Sequence, residues 1–235
     1  ELVETVGAGL ASGDMRPVQA LVEAEVLIRQ LERGDLLAAM HRDAVPALAE
    51  YGTDFTIHDP ESELRTAERV LSSLRRGLRV LENASGFARL IPNVGTNLVA
   101  CTPDADSIDD VAGVPGRIVD VKGRAMVPGE PEFGVSEHVA SVLLAAREAG
   151  ASARGAVNVQ YAPETIEALA ADHPTVAFDP ERSTREAVAA AVESAEETSG
   201  DTLVLYQTGA VGVEPIAYVL APTAADAADI VRELI

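Results

Sequence analysis

The chain predicts an α/β fold: a mixed, partly parallel sheet flanked by helices, with an N-terminal helical extension. Three observations carry this. Short apolar runs near 97–101, 117–121, 156–161, 175–178 and 202–207 read as strands. Stretches of helical period, at 136–149, 162–171, 184–197 and 223–234, lie between several of them or follow the last, the order expected of an α/β sheet. Finally, 47% of the 235 residues are apolar, enough for a core, in a chain longer than the usual single domain of roughly 100–150 residues.

Taken in order, the chain opens at Glu1 inside an amphipathic pattern of Leu2, Val6 and Leu10, so a preceding segment is expected. Asp14 is a natural N-cap, with Pro17 in the first turn. Val18, Leu21, Val22, Val26, Ile28 and Leu31 then predict one long helix ending at Gly34. A shorter helix is expected over 35–50, interrupted near Pro46, before a turn-rich stretch at 51–60. The domain boundary is placed there: 1–60 as a helical linker or dimerisation segment, 61–235 as the main domain. Helical spacing resumes at 64–83 with Leu64, Val70, Leu74, Leu78 and Leu81 on one face and arginines on the other. Glu61, Glu63 and Glu68 interleave with those arginines, which favours pairing on the helix surface over contact with nucleic acid.

Composition narrows the function. No run approaches the ~18–20 apolar residues needed to cross a bilayer, so a soluble, cytoplasmic protein without membrane partners is expected. Cys101 is the only cysteine, which rules out a disulfide within one chain and suggests a small core residue. With 38 acidic against 18 basic residues, a net charge of −20 and Lys122 as the only lysine, the chain should repel DNA. The same balance suits molar salt, where repulsion is screened within a few ångströms. The acids are scattered and lack the spacing of a calcium loop, so no resident metal site is expected.

Candidate chemistry gathers at turns. Gly95, Thr96 and Asn97 follow Pro92-Asn93; Gly116 lies in Pro115-Gly116-Arg117; Gly209 to Gly212 form a third glycine turn. Each lets backbone amides approach a phosphate. In Phe133-Gly134-Val135-Ser136-Glu137-His138, Ser136 is placed to cap a helix whose positive end suits an anion, with His138 in its first turn. His138 could bind phosphate or move a proton, or simply bond to a loop. Arg117 opens an apolar run and must face a cleft or pair with an acid such as Asp120 or Glu137. His41, His58 and His173 are assigned to solvent. Neither a serine nor a cysteine nucleophile motif appears, and no histidine pair has zinc spacing.

Five segments in one order carry a family likeness: Pro92 to Asn97, Val114 to Val119, Phe133 to Ala140, Asn158-Val159-Gln160-Tyr161, and Gly209 to Pro215 with Glu214 in its Glu-Pro pair. Together they resemble the archaeal ThiN domain over roughly 81–235. The resemblance implies thiamine phosphate or thiamine diphosphate as ligand, bound near Gly95, Asn97, Gly116, Arg117, Gly134, Ser136, His138, Asn158, Gly209, Gly212 and Glu214. In enzymatic members it implies the joining of hydroxymethylpyrimidine diphosphate to thiazole phosphate with release of pyrophosphate. Arg117 and His138 would then be catalytic, and magnesium could accompany the diphosphate. Family enzymes tend to carry cations where this chain has Ser141, Gln160 and Val213, and Gly13 to Leu37 resembles the connector of haloarchaeal helix-turn-helix regulators of thiamine synthesis. The expectation is therefore an effector-sensing domain of such a regulator, homodimeric, contacting DNA only through a preceding helix-turn-helix; the alternative is a working thiamine-phosphate synthase.

Overall fold

The computed structural model describes residues 63–195 and 201–235. The helices expected at 14–34 and 35–50, and the boundary at 51–60, lie outside the described residues.

The chain begins its described course with α1 (Glu63–Asn83), followed by a 3-10 turn at Phe87–Leu90. Next come β1 (Leu98–Cys101), β2 (Val111–Gly113), β3 (Val119–Val121), β4 (Arg124–Met126) and β5 (Glu132–Phe133). The remainder alternates: α2 (Glu137–Glu148), β6 (Gly155–Gln160), α3 (Pro163–Asp172), β7 (Thr175–Ala177), α4 (Thr184–Ala195), β8 (Leu203–Gln207), β9 (Ile216–Ala221) and α5 (Ala224–Arg232).

Seven strands form one sheet in the order β5-β2-β1-β6-β9-β8-β7. Only β7 and β8 are parallel; every other pair is antiparallel, so the sheet is mixed as expected but the parallel share is one pair. Both faces are covered, and the central strands are accordingly apolar throughout rather than alternating. In β9 all six residues are buried. Ala217, Val219 and Ala221 face Leu74 and Leu78 of α1 and Ala227, Ala228 and Val231 of α5. Ile216, Tyr218 and Leu220 face Val139, Val142 and Leu143 of α2 and Val188 and Val192 of α4. Cys101 lies within the second cluster, 3% exposed, as expected of a small core residue.

Two departures from the sequence reading have clear causes. The run expected as a sheet strand at 117–121 instead starts at Val119 and pairs with β4 in a separate hairpin. Gly116 and Arg117 both take positive φ, 77° and 66°, which turns the chain off the sheet. Lys122 and Gly123 repeat the device at the hairpin tip, where the Gly123 amide donates to the Asp120 carboxylate at 2.7 Å. The second departure is β9 itself, a central strand beyond those the apolar runs predict; it directly follows the Glu214-Pro215 pair, where only the preceding glycine turn is expected.

Candidate functional site

At the end of the sheet where β1 starts and β6 ends, polar side chains do the work of backbone. Asn97, 3% exposed, donates to the Val114 carbonyl at 2.8 Å and accepts from the Val114 amide at 2.9 Å. Its own amide donates to the Asn158 side-chain oxygen at 2.7 Å, while the Asn158 side-chain nitrogen donates to the Gly95 carbonyl at 2.9 Å. Both asparagines therefore spend their amide groups holding the 92–97 and 114–118 turns against β6. Thr96 and Ile118 complete the junction by exchanging backbone hydrogen bonds at 2.9 and 2.7 Å.

Gly95 stands at φ 83°, and a Cβ there would come within 3.2 Å of both the Arg117 side chain and the Ile118 carbonyl oxygen. The close approach of the two turns depends on this glycine. Arg117 is exposed and its guanidinium donates to the Val94 carbonyl at 2.6 Å. It thus lies on the rim of the junction, bonded to neither Asp120 nor Glu137, the acids considered as its partners. Glu214 clamps the same turn from the β8–β9 loop, accepting from the Asn93 amide, the Asn93 side chain and the Val94 amide at 2.8 to 3.0 Å. Gln207, a buried residue at the end of β8, holds that loop through the Glu214 carbonyl at 2.6 Å and the Gly209 amide at 2.5 Å.

Helix α2 brings its N-terminus to this junction. Ser136 occupies the N-cap position with no side-chain capping bond, contrary to the role expected for its hydroxyl. It is 6% exposed and packs over Gly113, where a Cβ would come within 2.9 Å of Ser136 and 3.2 Å of the Asn97 side-chain oxygen. Within the first turn of the helix, His138 Nε2 lies 2.5 Å from the Tyr218 hydroxyl. The bond is part-buried, although His138 keeps an exposed edge. Tyr218 stands opposite Asn158 in the β6–β9 register and packs its ring against Phe178, with centroids 6.0 Å apart.

Electrostatics couples the two residues singled out for catalysis. Burial first, and then the positive charge of Arg117, hold His138 below its ordinary 6.5; Glu137 pulls the other way. Burial also pushes the Tyr218 phenol well above its usual range, so the hydroxyl keeps its proton and can donate to a neutral imidazole. The arrangement offers a fixed cation, a neutral histidine with a hydrogen-bonded partner behind it, and the amides of a helix N-terminus, which is the equipment for binding and stabilising phosphate charge.

The junction thus gathers Gly95, Asn97, Gly116, Arg117, Ser136, His138, Asn158, Gly209 and Glu214. Two further expected residues stand apart. Gly212 forms the tip of the β8–β9 loop with open space around it, and Gly134 faces Asp109 at the β2–β5 edge. His173 ends α3 half-buried rather than in solvent, and His41 and His58 lie outside the described residues. The sequence reading missed Tyr218, Gln207 and Asn93. Tyr218 left a usable signal: a tyrosine inside an all-apolar run needs a partner for its hydroxyl. Among the described residues no cluster of three or more His, Cys, Asp or Glu side chains suits a metal ion, and no described helix is long and apolar enough to cross a membrane.

The chain is 29% identical over 181 residues to thiamine-phosphate synthase ThiN of Methanothermobacter thermautotrophicus, covering 70% of this chain and 92% of that protein. It is 30% identical over 173 residues to the bifunctional thiamine biosynthesis protein ThiDN of Methanocaldococcus jannaschii, covering 71% of this chain and 40% of that longer one. Among solved structures, the C-terminal domain of phosphomethylpyrimidine kinase superposes with a TM-score of 0.63 at 29% identity, over 72% of this chain and all of that domain. The thiamine-phosphate synthase ThiN family matches residues 73–233, which contain the whole junction, and the chain belongs to that family.

Proposed function

We propose that the chain is a thiamine-phosphate synthase, with the chemistry carried by residues 61–235. The observation that carries this reading is the pairing of Arg117 with a His138 kept neutral beside Tyr218, inside a domain whose named relatives are synthases. The relatives thereby favour an enzyme over the effector sensor that the sequence suggested. In the reaction the thiazole ring nitrogen attacks the exocyclic methylene of hydroxymethylpyrimidine diphosphate. The methylene C–O bond breaks, and pyrophosphate leaves with the electron pair. Arg117 and the α2 amides oppose the charge that grows on the leaving group. A neutral His138 donates a hydrogen bond from its N–H to the same oxygens or to the thiazole phosphate. Glu214, the carboxylate bonded into the junction, is already held by three N–H groups, so it provides no protein cage for magnesium. An ion arriving with the diphosphate would be held mainly by phosphate oxygens and water.

One observation favours a sensor as a second reading. Ser141 bonds back to the Glu137 carbonyl, Gln160 is exposed at the end of β6, and Val213 lies exposed in the β8–β9 loop; all three are uncharged where family enzymes tend to carry cations. In that reading thiamine phosphate or diphosphate binds without turnover. Residues 1–60 act as a helical linker or dimer seam reporting occupancy to a DNA-binding segment. Incubating folded protein in molar KCl with magnesium and both substrates, and detecting thiamine phosphate by fluorescence, separates the two. Turnover that disappears in Arg117→Ala and His138→Ala supports the synthase; no product from folded protein removes it.

A further inference from the structure

A cavity of about 220 Å³ opens between α1, the end of β1, the start of β6 and the first turn of α5. It lies at the other end of the central strands from His138. His138 meets β9 at Tyr218, three residues or about 10 Å along the strand from Ala221 beside the cavity. Two glycines create the junction around it. At Gly77 of α1 a Cβ would come within 2.7 Å of the Leu98 side chain and 2.8 Å of the Ala224 carbonyl oxygen. At Gly155 it would come within 2.3 Å of the Ala224 nitrogen. Helix α5 therefore starts pressed against both β6 and α1, with Thr223 and Ala224 at the cavity wall.

Arg69, Arg76 and Arg154 line this cavity and no acidic side chain does, in a chain with 38 acidic and 18 basic residues. Among the described residues none of the three has a salt-bridge partner, whereas neighbouring Arg75 engages both Glu68 and Glu130. Ser73 supplies an independent observation. It is 7% exposed, lines the cavity, and its buried hydroxyl has no hydrogen-bond partner. A buried hydroxyl is costly to leave unpaired, so its position at the wall of a cavity that arginines also line points to an occupant that accepts a hydrogen bond. Thr223 caps α5 by accepting from the Asp226 amide and donates to the Asp226 carboxylate, which belongs to the adjoining groove with Asp229 and Arg232.

Three arginines and an unpaired hydroxyl line one space beside the first turn of a nine-residue helix. We propose that this cavity is a second oxyanion site, binding a phosphate-class anion independently of Arg117 and His138. The anion is inorganic phosphate or the phosphoryl group of a small molecule. The volume accommodates such a group, and the surrounding charge of −20 opposes a polyanion.

The test is calorimetric titration of the full chain with inorganic phosphate, and separately with glycerol 3-phosphate, against a fixed KCl background. The expected result is saturable binding in the wild type and in Arg117→Gln. Arg76→Gln/Arg154→Gln should weaken it tenfold or more, and Ser73→Ala several-fold, with unchanged circular dichroism. Tighter binding of the monoester identifies a metabolite as the source; equal or weaker binding identifies phosphate itself. Absence of saturable binding in the wild type overturns the proposal, as does equal loss in Arg117→Gln. Ser73→Ala binding like wild type also overturns it, and that variant keeps the test decisive should the double variant misfold.

Discussion

At one end of the central strands two asparagines, a glutamine and a glutamate are bonded to backbone, and only the Thr96 hydroxyl is buried without a partner; at the other, the Ser73 hydroxyl is buried without a partner beside three arginines that have no salt-bridge partner among the described residues. Asn97, Asn158, Gln207 and Glu214 hold the turns that carry Arg117 and receive α2, whereas Ser73, Arg69, Arg76 and Arg154 surround an acid-free cavity. A buried polar group bonded to backbone acts as a fastener, whereas an unbonded one at a cavity wall is open to a ligand. Arg117 and His138 differ from Asn97, Asn158 and Gln207, which are buried, because each keeps an exposed edge.

The comparison can be broken most forcefully at Arg117. Arg117→Ala removes the cation that opposes leaving-group charge and should lower product formation about 10²–10³-fold, or roughly 3–4 kcal/mol of barrier, with the melting temperature little changed. An equal loss of stability would place Arg117 among the fasteners instead. Asn97→Ala should behave in the opposite way. It leaves the Val114 amide and carbonyl without their buried partners and should destabilise the fold by about 2–3 kcal/mol in denaturant titration. A near-neutral result would show that the turn needs no such fastening.

Tyr218→Phe sharpens the distinction on a finer scale. It keeps the ring against Phe178 but removes the hydroxyl bonded to His138, and should cost about 1 kcal/mol of stability while moving the His138 titration seen by NMR. The smallest expected effect is that of pH. His138 titrates below 6.5 in the folded protein, so the folded state binds this proton less readily than the unfolded chain. Its contribution is complete above pH 6.5 and is lost as the pH falls from 6.5 through the lower folded midpoint. In Arg117→Gln, with the repelling charge gone, the midpoint should rise toward 6.5; an unmoved midpoint would show that the two residues are not electrostatically coupled.

Much of the frame was legible in the residues, because helical period and apolar runs report burial directly. Helices α1, α2, α3 and α5 and strands β1, β6, β7 and β8 fall within a few residues of their expected spans. The short strands β2, β4 and β5 were not, since two or three residues carry no period. β9 was hidden by the glycine-rich loop before it, and Arg117 was read as a strand residue because positive φ in a non-glycine residue leaves no mark in the sequence. Tyr218 illustrates the remaining gap. Its partner His138 is distant in the chain, and the antiparallel register of β6 and β9 sets Tyr218 opposite Asn158.

That register has a kinetic consequence. β8 and β9 are joined by a local hairpin, whereas β6 meets β9 only after α3, β7, α4 and β8 have been threaded between them. Local pairings close before distant ones because less chain entropy is lost in forming them. Pulse-labelled hydrogen exchange during refolding should therefore protect β8 amides before those of β6. The pocket chemistry of Asn158, Tyr218 and His138 would then be among the last parts of the molecule to come into being.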